Sequence, residues 1–155
     1  MIRLCVVCLI CHVLMACSSP PLVPGDLVGK YGFDNECSAY EEVSSALQTR
    51  DPSLVLHKDG RFEVNDWPAS FLFTGYSKDS LVSGEGRWSL ETYEGSLQLG
   101  LSITSFSSGL LHGHSWAMHL QIKRDSDGIT LWKWYGDPDQ ATRIEFKRLE
   151  KSQVD

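Results

Sequence analysis

The chain lacks a long hydrophobic run. Its most apolar stretch, Leu4 to Ala16, is short and is broken by His12. A membrane-spanning helix needs about 20 apolar residues, so this run does not supply one. A basic excess is also missing. Lys and Arg number 14 against 20 Asp and Glu, a net charge of −6 at pH 7. Nucleic-acid binding calls for a basic patch, so nucleic acid is not an expected partner. Catalytic motifs are absent too. The chain has no Gly-x-Ser-x-Gly nucleophile turn, no phosphate loop and no Cys–His pair in a usable context. The set of nucleophile, base and oxyanion donors is not met. The expectation is a non-enzymatic protein with no catalytic residues and no cofactor. Internal repeats are lacking as well. Cysteine is scarce where it would build a fold: of five, Cys5, Cys8, Cys11 and Cys17 crowd at the N-terminus and only Cys37 lies beyond.

What is there begins with that N-terminal segment. Met1-Ile2-Arg3 precedes the apolar run, which ends in Leu14-Met15-Ala16-Cys17. A positive start, a short apolar run and a small residue before a cut describe an export signal. Leu14, Ala16 and Cys17 fill the three positions of a lipobox. This segment resembles the signal of bacterial lipoproteins, which implies cleavage before Cys17, a diacylglyceryl group on its thiol and an acylated amine. Each buried CH₂ of such chains contributes about 0.8 kcal/mol, and more than one chain gives stable anchoring. Lipidation at Cys17 and membrane contact through that lipid are thus expected. Ser18 after the cysteine resembles the default sorting to the outer membrane, so the expected address is the cell envelope at the periplasmic face. The Cys-x-x-Cys spacings of Cys5, Cys8 and Cys11 lose their redox or zinc meaning inside a segment that is cut off. The remaining thiol, Cys37, has no partner for an internal disulfide, and burial is the expected fate of such a residue.

The reading divides the chain into a signal over residues 1–16, a lipidated N-terminus and Pro-rich tether over 17–25, one domain over 26–150 and a polar tail over 151–155. Loss of Arg3 with the signal leaves 13 basic against 20 acidic residues, a net of −7. From Asp26 onward the pattern alternates. Leu97, Leu99, Leu101 and Ile103 recur at every second residue, as do Trp116, Met118, Leu120 and Ile122, and then Ile144 and Phe146. Period two marks strands with one buried face. Asp59-Gly60 and Asp127-Gly128 are hairpin turns. Strands are expected near 27–33, 53–57, 61–65, 84–91, 96–104, 113–124, 128–135 and 143–149. Ser38-Ala39-Tyr40-Glu41 has the form of a capping box, and Tyr40, Val43 and Leu47 share a helical face. A short helix is therefore expected near 38–47. About eight closely spaced strands favour an all-β, antiparallel up-and-down barrel, whose closure removes sticky edges.

The landmarks in order are Gly29-Lys30-Tyr31, Leu54-x-Leu56-x-x-Asp59-Gly60-x-Phe62, Gly84-x-Gly86-x-Trp88, Asp127-Gly128-Ile129-x-Leu131, Gly136-Asp137-Pro138-Asp139 and Ile144-x-Phe146-x-Arg148. Over residues 26–149 this resembles a broad group of small bacterial lipocalin-like proteins. True lipocalins open with Gly-x-Trp where this chain has Tyr31. The resemblance implies a fold, and a fold does not imply a function.

Candidate sites are few. His112 and His114 would share a strand face, with His119 on the other, but no Cys, Asp or Glu stands near them in sequence. A metal is not expected, and this pair is its weak candidate. Asp137-Pro138-Asp139 reads first as turn chemistry. Trp132 and Trp134 oppose Ile129 and Leu131, so both faces of that strand carry bulky apolar groups. Either the helix at 38–47 covers the tryptophans, or they form an exposed aromatic patch of the kind that contacts proteins. Trp67, Phe71 and Phe73 lie in a long apolar connection that either closes the barrel mouth or plugs the core. Together Trp67, Phe71, Phe73, Trp132 and Trp134 are the candidate surface for a ligand or partner. The expected function is a binding module for a small apolar molecule or a partner protein. The alternative is an immunity or inhibitor protein that blocks a toxin or hydrolase.

Overall fold

The computed structural model describes residues 20–34, 50–72, 76–77, 80–107, 115–137, 139 and 141–149. Period-two alternation becomes eight strands. They are β1 (Gly29–Phe33), β2 (Ser53–Leu56), β3 (Arg61–Pro68), β4 (Leu81–Tyr93), β5 (Ser96–Phe106), β6 (Trp116–Asp125), β7 (Gly128–Trp134) and β8 (Arg143–Arg148). Each pairs antiparallel with its neighbour in sequence, and β8 returns to β1 through Tyr31↔Arg148 and Phe33↔Phe146. The result is the closed up-and-down antiparallel barrel, lipocalin-like in architecture, that the alternation implies.

Turn chemistry sets one end. Gly60 has φ +79°, and Asp59 Oδ1 accepts the Arg61 N–H at 3.0 Å. Glu94 and Gly95 both have positive φ, +49° and +77°, between the paired Tyr93 and Ser96. That is the two-residue turn whose twist suits a hairpin. Asp125 Oδ1 accepts the Asp127 N–H at 3.0 Å before Gly128. These three tight turns lie at one end of the barrel, the turn end. The longer connections, from Phe33 to Ser53, Pro68 to Leu81, Phe106 to Trp116 and Trp134 to Arg143, all leave from the opposite end.

A short helix and a 3-10 turn close the two ends. Helix α1 (Pro24–Leu27) begins with proline at its first turn, and Asp26 Oδ2 accepts the Val23 N–H at 3.1 Å. Its Leu27 is fully buried at the turn end. This helix was not expected from the sequence, because tertiary contacts rather than local pattern hold four residues in place. Arg148 donates to the carbonyls of Asp26, at 2.8 Å, and Val28. The helix expected at 38–47 falls outside the described residues, as do the lipobox, Cys37 and the tail over 151–155. At the other end a 3-10 turn, Ala69–Phe71, carries buried Ala69 and Phe71 into the core.

Three strands, β3, β4 and β5, run longer than their alternation suggests. β3 continues to Pro68, because a bulge between Val64 and Trp67 breaks the period without ending the pairing. Asp66 occupies the bulge with φ +52°, and its N–H donates to Ser83 Oγ at 3.0 Å. Trp67 is therefore a strand residue. β4 begins at Leu81, three residues before the expected start, by pairing with Pro68. A second bulge lies at Glu85/Gly86. There a Cβ on Gly86 would stand 2.0 Å from the Ser102 carbonyl oxygen, so only glycine permits this approach of β4 to β5.

The core runs along the barrel axis. Tyr31, Leu54, Leu56, Phe62, Val64, Trp67, Leu99, Ile103, Leu120, Leu131 and Ile144 are fully buried. Trp67 stacks on Phe146 at 4.7 Å between ring centroids, and Phe71 stacks on Phe33 at 5.6 Å. Leu97 departs from its strand's inward row: it is 41% exposed beside the Glu94-Gly95 turn.

Candidate functional site

The end of the barrel opposite the tight turns gathers the candidate residues that the structure describes. β7 explains how. Its inward row is Ile129, Leu131 and Lys133; its outward row is Thr130, Trp132 and Trp134. Ile129 and Leu131 are buried core. Lys133 continues their row to the end of the strand. Its Nζ donates to the Phe71 carbonyl at 3.1 Å, across the barrel mouth. Burial pushes the Lys133 ammonium below its usual range, and loss of hydration is the only cause acting on it. The Ser70 hydroxyl, one residue before Phe71, is buried and has no hydrogen-bond partner. A cavity of about 190 Å³ separates the Ser70–Leu72 segment from the Lys133–Gly136 strand end.

The outward row forms a different surface. Trp132 and Trp134 meet edge to face at 5.2 Å. Arg143, paired in register with Trp134, places its guanidinium 5.5 Å above the Trp132 ring, a cation–π arrangement. Glu145 pairs with Arg143 on the same face. Trp134 is 41% exposed and Trp132 is partly covered.

The structure thus separates the five aromatic candidates. Trp67 and Phe71 come together inside the barrel, 6.5 Å apart. They are 0% and 2% exposed, and Trp67 Nε1 donates to the Ser53 carbonyl at 3.0 Å. Of the two readings of their segment, plug and lid, the described residues take the form of a plug. Trp132 and Trp134 are together on the outside. Phe73 falls outside the described residues, and so do His112 and His114. His119 lies on the outer face of β6, its Nε2 3.3 Å from Glu91 Oε2 and its ring stacked on Tyr93 at 4.6 Å. Glu91 is held below the usual carboxylate range by hydrogen bonds from Ser89 and then His119. Among the described residues no group of three or more His, Cys, Asp or Glu is placed to hold a metal. Asp137 Oδ1 accepts the Asp139 N–H at 3.0 Å, which is turn chemistry.

Lys133 and Ser70 were not among the sequence candidates. The signal for Lys133 was present: a lysine in the inward row of an alternating strand breaks the rule that such rows are apolar. Nothing in the sequence marks Ser70, whose burial depends on the fold of the Ala69–Phe71 turn.

Comparisons of the chain with protein-family models, with curated proteins and with solved structures give no match. The class supported is the fold itself, a small closed eight-stranded barrel of lipocalin-like architecture.

Proposed function

We propose that this chain is a lipid-anchored, non-enzymatic binding protein of the bacterial cell envelope. It acts on a protein partner through its outer face, as an inhibitor or immunity protein does. It does not carry an apolar molecule along its axis. One observation carries the reading: the barrel axis is occupied by its own side chains, with Trp67 at 0% exposure stacked on Phe146 at 4.7 Å. Apolar small-molecule sites are clefts of roughly 300–1,000 Å³ lined by hydrophobic groups, and among the described residues the rings of Trp67, Phe71 and Phe146 pack on one another instead. The aromatic residues left over, Trp132 and Trp134, face outward beside Arg143. Trp and Arg are the residues that most often dominate protein interfaces. The lipobox at Cys17 supports the anchor. The net charge of −6 would speed encounter with a basic partner.

The test is native mass spectrometry of the lipidated protein extracted from membranes in a neutral detergent. The expected spectrum has no apolar small molecule retained by the barrel and a defined complex with one protein. Trp132→Ala with Trp134→Ala should weaken that complex roughly tenfold or more while leaving the barrel's unfolding transition intact. A retained apolar molecule with no protein complex would sink the reading.

A further inference from the structure

The two ends of the barrel each place one cation at the end of an inward row, and the two are treated differently. At the turn end Arg148 has several partners. It donates to Asp26 O and Val28 O, and its guanidinium lies 5.9 Å from the centre of the Tyr31 ring. At the opposite end Lys133 donates to one acceptor, Phe71 O at 3.1 Å. An ammonium carries three protons. Among the described residues no carboxylate pairs with it, although most of its surface is removed from water. A cation without a counter-charge in such a place is costly, and buried charges are as a rule paired. Lys133 lines a cavity of about 190 Å³.

We propose that this cavity is a binding site for a carboxylate, with the Lys133 ammonium as its counter-ion. One carboxylate would take up the free protons of Lys133. A single negative charge matches the single cation. A phosphate dianion would leave charge unbalanced in a body already at −6. Phe71, Trp134 and Tyr135 also line the cavity. The carboxylate has two sources, a free small acid or the C-terminus of a peptide chain. The inference does not depend on whether Trp134 meets a protein partner.

Competitive acetylation tests this on the full lipidated chain in a neutral detergent. Trace acetic anhydride is added, and the rate at each lysine is read by mass spectrometry. Benzoate at millimolar concentration should slow acetylation of Lys133 at least fivefold and leave exposed Lys123 unchanged. Calorimetry should give a heat for benzoate that vanishes in Lys133→Met. A short peptide with a free C-terminus, compared with its amide, separates the sources. Protection by the free peptide at lower concentration than benzoate marks a chain end; the reverse order marks a free acid. Equal protection by benzamide, equal protection by chloride at matched ionic strength, or no protection by any carboxylate would each overturn the proposal.

Discussion

Tyr31 shows how much one buried residue contributes to the pH response. Its side chain is fully buried, and its hydroxyl donates to the Leu27 carbonyl at 2.8 Å, joining β1 to helix α1. Burial pushes the phenol up to about 12, with Arg148 opposing weakly. The folded state therefore favours the neutral phenol. Its contribution is fully present below pH of about 10, where the unfolded tyrosine titrates. It is lost as pH rises toward about 12, because the unfolded chain gives up its proton first. Two pH units correspond to about 3 kcal/mol. Urea unfolding at pH 8 and pH 11 should show about half of this fall in the native protein, since pH 11 lies midway between the two values, and a shallower one in Tyr31→Phe. At neutral pH the same variant should lose about 1 kcal/mol for the missing hydrogen bond. Lys133 poses the opposite case. Its lowered pKa means that the fold tolerates the charge rather than being built on it, and stability should rise as pH climbs through the folded value toward the unfolded one. Lys133→Met keeps the stem and removes the charge, so it should stabilise the barrel by about 1 kcal/mol or more in urea unfolding at neutral pH. A net loss instead would show that the bond to Phe71 O outweighs the burial of the charge. Sites kept for binding commonly carry this kind of stability cost.

Among the elements, β4 is where sequence and geometry are most tightly coupled. It is the longest strand, and its bulge at Glu85/Gly86 brings its backbone against β5. An alanine at 86 would place its Cβ 2.0 Å from the Ser102 carbonyl oxygen, so the strand must move. Gly86→Ala should cost about 1–3 kcal/mol, as overpacking does, and lower the thermal midpoint by several degrees. Gly95→Ala is the control: nothing stands within 4 Å of the added Cβ, and only its φ of +77° opposes the change. Trp67→Ala should cost roughly 3–5 kcal/mol, because it removes the ring that Phe71 and Phe146 pack against. The eight strands were legible because each keeps an apolar row at every second residue, and the turns because Asp-Gly admits few other conformations. The bulges were not legible. A bulge adds one residue without changing composition, which is why Trp67 read as part of a connection and the start of β4 was placed late. Helix α1 was hidden for a related reason: Arg148, more than a hundred residues away in sequence, supplies its contacts. Of the site, the outward pair Trp132 and Trp134 was legible from strand parity. The inward Lys133 was equally written there, but a single lysine at a strand's end has the same pattern as the solvated residue that usually closes an apolar row.

For the whole molecule, topology and the proposed anchor combine into an orientation. Pro20 lies at the turn end, where its carbonyl accepts from Arg124 Nη1 at 3.4 Å. Arg124 belongs to the β6–β7 hairpin, and helix α1 follows directly after. Cys17 is three residues before Pro20, and three residues span at most about 10 Å. A lipid on Cys17 would hold the turn end close to the bilayer. The other end, with the Lys133 cavity, the Trp132–Trp134 surface and all the longer connections, would then face away from the membrane, toward whatever the protein meets. Two measurements test this together. Cys17→Ser should move the protein from the membrane fraction to the soluble fraction. Carbodiimide footprinting of the lipidated protein on neutral phosphatidylcholine vesicles should then show slowed modification at Glu94 and Asp127, which are exposed at the turn end. Asp137 and Asp139, exposed at the opposite end, should react as they do in the released variant. Equal protection at both ends would mean that the barrel lies flat or tumbles on its tether. Protection of Asp137 and Asp139 alone would reverse the orientation and bury the proposed binding face against the lipid.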